Sequence, residues 1–326
     1  MGDKPPYSFT EKIFILSSDI ERILGRYEGI MTPRPSVKLR RSSRIKTIQG
    51  SLEIEGNKLT QEQVTAILDG KRVLGPQRDI LEVKNAIRLY DQAASFNILS
   101  EKAFRKAHAV LMEGLVKNPG KWRTGNIGVI DGSKVKHIAP KPTMVAGLIS
   151  DLFEYLKAEE KKKYLISSCV FHYELEFIHP FEDGNGRMGR FWQHLILAKY
   201  HPLFEYVPVE SVIRDNQEGY YSVLEQSDKI GESTAFIEFC LKAILDSLAK
   251  FVDELKPEPL TAESRLAIAR DKFGKQWFSR KDYIAFFKTI STATASRDML
   301  AGITSDMLQK RGEKAVTEYR FTSRSD

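Results

Sequence analysis

The sequence predicts a mainly α-helical protein with one β-hairpin in a helical core and a small C-terminal domain. Apolar residues recur at helical spacing through most of the chain, whereas one segment alternates β-branched residues around Asp131-Gly132. Near residue 257, two prolines in three residues interrupt the helical pattern. The chain has 326 residues, more than one average domain, and its 42% hydrophobic content is sufficient for a buried core.

Composition excludes several classes of protein. No run approaches 18 uncharged apolar residues, which argues against a membrane-spanning helix. The first twelve residues have no apolar stretch after a basic leader, so we expect no secretory signal. The two cysteines, Cys169 and Cys240, cannot form a disulfide framework and lack zinc-site spacing. We therefore expect a cytoplasmic protein, whose net charge of +7 suggests an acidic or phosphate-bearing partner.

Residues 1–100 are predicted to form an N-terminal helical region. Apolar residues from Phe14 to Leu24 have helical spacing, and Thr60 to Gln63 has the pattern of a capping box that starts a helix. Between them, Met31–Gly50 carries six basic side chains and no acidic one. A solvated face or connector is the favoured explanation of this charge, and a binding arm is the alternative.

Residues 101–255 are predicted to form the core. Helical periodicity recurs in six segments of the chain: Ile80–Ile98, Ala103–Leu115, Val145–Leu156, Tyr164–Phe177, Phe191–Tyr200 and Ser233–Leu255. The segment Gly125–Ile138 is predicted to be a β-hairpin, because Asp-Gly between β-branched runs favours a tight turn. In a helical protein such a hairpin has a free edge that can capture an extended peptide.

The segment His179–Arg190 carries the chemistry. It lies between two segments with helical periodicity and includes the start of the second helix. Its glycines are therefore at a helix N-terminus, where free N–H groups and the helix dipole bind anions. Arg187 and Arg190 are three residues apart and can hold phosphates from one side. Asp183 can bind a divalent metal, and the His179 imidazole can take a proton from an attacking hydroxyl. These residue types suit transfer from a nucleoside triphosphate to a hydroxyl.

Each element alone is compatible with a purely structural role, since a lone histidine is usually packed and a glycine loop is usually a turn. Their joint occurrence in 12 residues favours a functional site. Walker, zinc-protease and nucleophile-elbow motifs do not occur in the sequence.

His179–Arg190 resembles the Fic signature HPFx[DE]GNGRxxR at every fixed position. The resemblance covers roughly residues 50–245 and implies a helical adenylyltransferase that moves AMP from ATP to a Ser, Thr or Tyr hydroxyl of a target protein. It implies that His179 is the general base and that Asp183 binds Mg²⁺ at the α- and β-phosphates. Around the nucleotide it implies a phosphate cradle formed by Gly184, Asn185, Gly186, Arg187, Met188, Gly189 and Arg190, with Arg190 at the γ-phosphate. The related Doc kinases carry Lys at the position of Gly186, so glycine favours AMP transfer over phosphorylation.

Two further parts of the ATP site are implied by the resemblance. The hairpin corresponds to the family's flap, which binds the target strand, and it would place Lys134, Val135, Lys136 and His137 nearest the nucleotide. Tyr220 and Tyr221 resemble paired tyrosines near adenine, although both are equally compatible with a role as core aromatics. Asp228 takes the place of an asparagine found in many relatives, which leaves the adenine-edge contact open.

The resemblance also implies a built-in brake. Residues 51–56 resemble the inhibitory motif [ST]xxxE[GN], upstream of the catalytic motif as in class II members. Glu55 would pair with Arg190 and occupy the place of the γ-phosphate, so that bound ATP is misaligned for attack.

Residues 256–326 are predicted to form a winged-helix-like domain. One helix starts around Phe278–Tyr283, a recognition-type helix covers Thr294–Leu300, and Met307–Val316 resembles two strands with a basic turn. This part holds 14 basic and 9 acidic side chains, a net +5. The charge is compatible with DNA binding, although many such domains bind protein or only pack against the rest of the chain.

The alternatives to an autoinhibited adenylyltransferase are a DNA-binding regulator that senses nucleotide and a Fic enzyme that transfers another group or removes AMP. The oligomeric state stays open, with a homodimer among the possibilities.

Overall fold

The computed structural model describes residues 5–29, 35–131, 134–255, 260–288, 290–313 and 316–322. The chain divides into two compact units, one up to residue 255 and one from residue 256 onwards. Helices dominate both, which confirms the predicted mainly α class. Within the described ranges, none of the helices has the length and apolar character that crossing a bilayer requires.

The first unit consists of a helical assembly with a hairpin between its fifth and sixth helices. Its described elements are α1 (Glu11–Gly29), α2 (Val37–Ile54), α3 (Gln61–Leu68), α4 (Gln77–Asp91), α5 (Glu101–Leu111), β1 (Gly128–Asp131), β2 (Lys134–Ile138), α6 (Pro142–Ile178), α7 (Asn185–Tyr200), α8 (Val209–Asp215), α9 (Gln217–Ile230) and α10 (Thr234–Glu254). The N-terminal region and the predicted core lie together in this unit.

Helix α2 was not expected from its basic stretch. Ile45 and Ile48 are buried, and the cations of the same helix pair with acids of three neighbouring elements. Arg44 lies 2.7 Å from Asp91, Lys46 lies 3.2 Å from Glu254, and Arg41 pairs with Asp69. Residues 37–50 are therefore a packed helix, and the prediction of a connector is wrong there. Residues 31–34 of the stretch lie outside the described residues.

The predicted capping box is present at the start of α3. The Thr60 hydroxyl accepts from the Gln63 backbone N–H, and the Gln63 side chain accepts from the Thr60 N–H. The two helices predicted over 145–156 and 164–177 both lie within α6, on either side of an interruption at Lys163, where the backbone angles are not helical.

Helix α7 packs along α6, and aromatic side chains fill the space around them. Phe104 of α5 meets Trp192 of α7 edge-on, with ring centroids 5.0 Å apart. The Phe181 ring, which belongs to the loop between α6 and α7, is fully buried in the same core. This packing fixes the loop that contains the predicted catalytic motif.

The predicted hairpin forms with β1 antiparallel to β2. Gly128 pairs with Ile138 and Asp131 with Lys134, and the register shifts at a bulge after Val129. The turn residues Gly132 and Ser133 lie outside the described residues, and for 128–138 the description covers the backbone alone. The predicted contacts of Lys134, Val135, Lys136 and His137 with a nucleotide therefore fall outside what the structure describes.

In its described residues, the second unit combines three helices with a three-stranded sheet. Its elements are α11 (Ala262–Phe273), β3 (Phe278–Ser279), α12 (Arg280–Phe287), α13 (Thr292–Thr304), β4 (Leu308–Arg311) and β5 (Glu318–Phe321), with sheet order β3-β5-β4. Both predicted helices are present. The second strand lies beyond Val316, so the prediction of two strands within 307–316 is wrong for β5. Gly312, at φ 76°, ends β4 early and leaves a longer connection. Residues 256–259, 314 and 315 lie outside the described residues.

Candidate active site

The backbone of His179 is held in an unusual conformation at the end of α6. Its φ of 49° and ψ of 60° are left-handed, which costs free energy for any residue other than glycine. Its N–H donates to the Leu175 carbonyl at 2.9 Å, and its carbonyl accepts from Nε of Arg123 at 2.7 Å. The side chain is half-buried at the start of the loop. These bonds stop the helix at Ile178 and fix the direction in which the imidazole leaves it.

Arg123 is the main anchor of this backbone. Its guanidinium is 2% exposed and donates to carbonyls of the motif and of both segments flanking the hairpin: His179, Ile178, Gly125 and Pro140. Burial lowers the pKa of Arg123 from its ordinary value. Sequence reasoning missed this residue, because an arginine before a hairpin looks like any surface cation.

The loop between His179 and α7 is closed by side-chain to backbone bonds. The Asn185 amide accepts from the Phe181 N–H at 2.9 Å and donates to the Phe181 carbonyl at 3.0 Å. The His108 ring stacks on the Phe181 ring, with centroids 3.6 Å apart. His108 accepts the Gly120 N–H at Nδ1, so its Nε2 carries the proton and donates to the Asp183 carbonyl at 2.9 Å. Burial lowers the pKa of His108 to about 4, which keeps the ring neutral.

Glycines allow close approach at the start of α7. Gly184 has φ 84°, and a Cβ there would lie 2.7 Å from the Met112 sulfur. A Cβ at Gly186 would overlap Oε1 of Glu55 and lie 3.1 Å from both Nη1 of Arg190 and Oε1 of Glu176. Among the described side chains, none caps this first helical turn. The turn therefore keeps the character of an anion site.

Arg187 organises one side of the site. Its guanidinium is 4% exposed and lies 2.8 Å from Oδ1 of Asp183 and 3.2 Å from Oε1 of Glu82. The Glu82 carboxylate also accepts from the Asn57 amide at 2.9 Å, just after the predicted inhibitory motif. Asp183 is 37% exposed at the side chain and accepts from Arg78 at 3.0 Å. Sequence reasoning missed Glu82 and Arg78, since nothing in their local pattern links them to a loop a hundred residues away.

Arg190 organises the other side and meets the inhibitory motif. Its side chain is 1% exposed, and its Nη2 donates to Glu55 at 2.7 Å and to the Ser51 carbonyl at 2.9 Å. Its Nε donates to the Ser51 hydroxyl at 3.2 Å. Its Nη1 is buried and has no hydrogen-bond partner in the described part of the chain. Burial alone would lower the pKa of Arg190, but the surrounding acidic groups, with Glu55 foremost and Glu176 and Tyr220 beside it, together outweigh burial and the pKa is raised.

Glu55 is presented by the end of α2, where it is the residue that caps the helix. The Ile54 carbonyl accepts from the Gln217 amide at 2.8 Å and from the Tyr221 hydroxyl at 3.2 Å. Gly50 lies so close to α8 that a Cβ there would be 3.0 Å from the Glu210 backbone. Helices α8 and α9 therefore hold the last turn of α2 against Arg190.

The two predicted tyrosines have different environments. Tyr220 is 1% exposed, and its hydroxyl reaches Glu176 and His172, both at 3.1 Å. Tyr221 is 41% exposed and faces the end of α2. Asp228 accepts from the Tyr173 hydroxyl at 2.9 Å. Strand β2 contacts α9, so the hairpin borders the helix that carries these three predicted residues.

Together, the described residues bring Glu55, Asp183, Arg187 and Arg190 around the start of α7, with His179 at the other end of the same loop. No cluster of three or more metal-ligating side chains occurs among the residues that the structure describes.

Known proteins resemble this chain in sequence and in fold. The model of the Fic/DOC family matches residues 98–197. A Fic family protein from Desulfovibrio desulfuricans G20, known from a crystal structure, is 38% identical, with 99% of this chain and 100% of that chain covered and a TM-score of 0.73. This chain belongs to the Fic family.

Curated relatives of the Fic family match part of the chain. A probable protein adenylyltransferase of Aquifex aeolicus (strain VF5) is 30% identical over 189 residues, which cover 55% of this chain and 53% of the relative. The protein adenylyltransferase Fic of Nematostella vectensis is 25% identical over 217 residues, covering 61% of this chain and 47% of the relative. The chain thus spans about half the length of these relatives.

Proposed function

We propose that this Fic protein is a protein adenylyltransferase that moves AMP from ATP to a Ser, Thr or Tyr hydroxyl of a target protein. The observation that carries the proposal is the buried Arg190, whose unpartnered Nη1 lies beside Gly186 at the start of α7. A buried cation with a free donor, next to an uncapped helix start, suits a phosphate oxygen. The names of the curated relatives support the same activity.

The nucleotide's phosphates would lie along the start of α7. Arg190 would bind the γ-phosphate, and the N–H groups from Gly184 to Arg187 would face the β- and α-phosphates. Mg²⁺ is commonly held by one or two carboxylates together with substrate phosphates and waters. Asp183, which is part-exposed at this turn, fits that requirement, and it would exchange its bond to Arg78 for the metal. Bound Mg²⁺ would neutralise phosphate charge.

His179 would act as general base. The target's hydroxyl oxygen attacks the α-phosphorus, the bond from that phosphorus to the bridging oxygen breaks, and pyrophosphate leaves. The hydroxyl proton passes to His179, whose backbone is fixed by Arg123 and Leu175. The target segment would lie along the hairpin as an added strand, since backbone pairing of an extended peptide requires no particular side chains.

We further propose that Glu55 inhibits the enzyme. Its carboxylate accepts a hydrogen bond from Arg190 and lies against the backbone of Gly186. It thus occupies the place where the γ-phosphate would otherwise bind. ATP bound in the presence of Glu55 would be displaced, and even a small displacement of the reacting atoms costs about 100-fold in rate.

The test incubates the full chain and its Glu55→Gly variant with Mg²⁺ and ATP, with intact-protein mass spectrometry as the readout. A gain of one AMP, larger in the variant and absent from a His179→Ala, Glu55→Gly double variant, supports the proposal. A gain of one phosphate would indicate a kinase, and loss of AMP from a pre-modified substrate would indicate the reverse activity. No mass change of the chain and no labelled protein in a lysate supplied with α-labelled ATP would overturn the proposal.

For the second unit we propose a winged-helix-like fold that can bind DNA. The guanidinium carbons of Arg311 and Arg320 lie 4.2 and 4.8 Å from the centroid of the Trp277 ring. The strand register places both arginines on the same face of the sheet. Binding of a random DNA duplex, weakening steeply as salt rises, would support DNA as the partner. Binding without salt dependence, or none at low salt, would exclude it.

A further inference from the structure

A cluster of lysine and arginine residues lies beside the segment that leads into the hairpin. Four of them form what we call the basic face: Lys102, Arg105 and Lys106 of α5, and Lys121 of the turn that follows α5. Spacings of three and four residues place the three helical members on one side of α5. All four residues are exposed to solvent.

The turn folds back onto α5 and is fixed there by two hydrogen bonds. Nε of Arg105 donates to the Gly120 carbonyl at 2.9 Å, and the Gly120 N–H donates to Nδ1 of His108 at 2.8 Å. A Cβ at Gly120 would lie 3.0 Å from Cβ of Ala109, which is on the same side of α5 as Arg105. Lys121 therefore lies along the basic face.

The charge of the basic face is not neutralised within the described part of the chain. None of its members forms an ion pair with a described acidic residue. Glu101 has the spacing to reach Arg105, but the Arg105 guanidinium lies over the Trp122 ring instead, 5.3 Å from the ring centroid. Glu113 pairs with Arg88. Because like charges three and four residues apart destabilise a helix, these cations do not help to form α5.

The basic face continues into the proposed docking surface of the target. Trp122 packs against Phe181 of the motif loop, with ring centroids 4.8 Å apart. The next residue, Arg123, donates to the Gly125 carbonyl at 2.9 Å, and Gly125 comes just before β1. A protein segment that pairs with the hairpin would therefore have the basic face beside it.

We propose that the basic face binds an acidic segment of the target protein, close to the hydroxyl that receives AMP. The inference rests on the proposed function, because it names the class of target that the same site selects. A single exposed ion pair contributes little, but several cations on one fixed surface favour and speed the encounter with a segment of opposite charge. A nucleic acid fits this surface less well, because Trp122 is half-buried and packed against Phe181, so its ring is not open for stacking on bases.

The test compares two variants of the full chain whose net charge is changed equally. Lys106→Glu with Lys121→Glu reverses two members of the basic face. Lys199→Glu with Lys250→Glu is the matched control, which reverses two exposed lysines in the last turn of α7 and near the end of α10. The probes are a fluorescent peptide of Asp, Glu and Gly around one Thr, and a neutral counterpart with Asn and Gln. Fluorescence anisotropy measures their binding without nucleotide, and a thermal melt checks that each variant folds.

We expect the acidic peptide to bind the unchanged chain more tightly than the neutral peptide, with an affinity that falls as salt rises. Reversal on the basic face should weaken this binding about tenfold, and reversal in the control less than about twofold. Should the charge-reversed protein fail to fold, Lys106→Gln with Lys121→Gln carries the test, with a smaller loss expected.

Three results would overturn the inference. Equal weakening in both variants would show an effect of net charge alone, and equal binding of both peptides would show no preference for acid. Tighter binding of a single-stranded oligonucleotide of equal charge, lost on reversal of Lys106 and Lys121, would assign the face to nucleic acid.

AMP transfer separates this inference from the proposed function. In the Glu55→Gly background with α-labelled ATP, labelling of the acidic peptide should exceed that of the neutral peptide and should fall on reversal of the basic face. Equal labelling of both peptides would overturn the inference and leave the proposed function standing. Binding of the acidic peptide through the basic face, with no AMP transfer to peptide, chain or lysate, would leave the inference about the surface standing and remove the proposed function.

Discussion

Replacing Glu55 by glycine tests the proposed inhibition most directly. The change removes the carboxylate that accepts from Nη2 of Arg190 at 2.7 Å and leaves the two hydrogen bonds that Arg190 donates to Ser51 in place. Glu55 is the C-cap residue of α2 and has a φ of −91°, a backbone angle at which glycine causes no strain. The variant should therefore lose the ion pair without losing the helix.

The expected magnitude follows from that single contact. A hydrogen bond between charged groups contributes roughly 1.5–3 kcal/mol, and the γ-phosphate must replace it to reach Arg190. Because about 1.4 kcal/mol corresponds to a factor of ten, removing the competitor should tighten ATP binding by roughly 10- to 150-fold. Without nucleotide the variant should be less stable, since a buried guanidinium loses its partner charge.

Isothermal titration of ATP with Mg²⁺ measures the affinity, and a thermal melt with and without ATP measures the stability. Glu53→Gly is the matched control, because Glu53 is exposed on the same helix and pairs with Arg214 at 3.3 Å, away from Arg190. It should reproduce any cost of glycine in α2 without the gain in affinity. Equal ATP affinity in wild type, Glu55→Gly and Glu53→Gly would refute the competition between Glu55 and the γ-phosphate.

Three further predictions concern the motif and its support. His179→Ala should abolish AMP transfer while titration still detects ATP binding; a retained rate would assign the base to another residue. Gly189→Ala should lower the free energy of unfolding by about 1–3 kcal/mol, because its methyl group would overlap the His172 ring, and an unchanged urea midpoint would contradict this packing. The pKa of His108 is 6.5 in the unfolded chain and about 4 in the folded protein. Its contribution to the free energy of unfolding is therefore complete above pH 6.5 and is lost as the pH falls towards 4. Urea unfolding should show about 2 kcal/mol of stability lost between pH 7.5 and 5 that is missing in His108→Gln.

The sequence predicted the parts of this protein that depend on local pattern. The capping box at Thr60, the helix that opens after His179 and the hairpin around Asp131 each follow from a few adjacent residues with a defined conformational preference. The helical class follows likewise from periodicity. The motif itself was recognisable because glycine, asparagine and arginine rarely occur together at this fixed spacing by chance.

The parts that were missed depend on contacts between distant segments. The basic stretch forms a helix that buries Ile45 and Ile48 and whose charges are compensated by Asp69, Asp91 and Glu254 of other elements. Arg123 and Glu82 reach the motif loop through tertiary packing, and no spacing in their own neighbourhood indicates this.

The four carbonyls gathered by Arg123 have a mechanical consequence. Gly125 precedes the hairpin and Pro140 follows it, and the peptide bond between Ile178 and His179 marks the end of α6. One guanidinium thus ties the surface on which a visiting strand would dock to the peptide from which the base projects. We therefore expect that a displacement of the hairpin on docking would be transmitted through Arg123 to the backbone of His179.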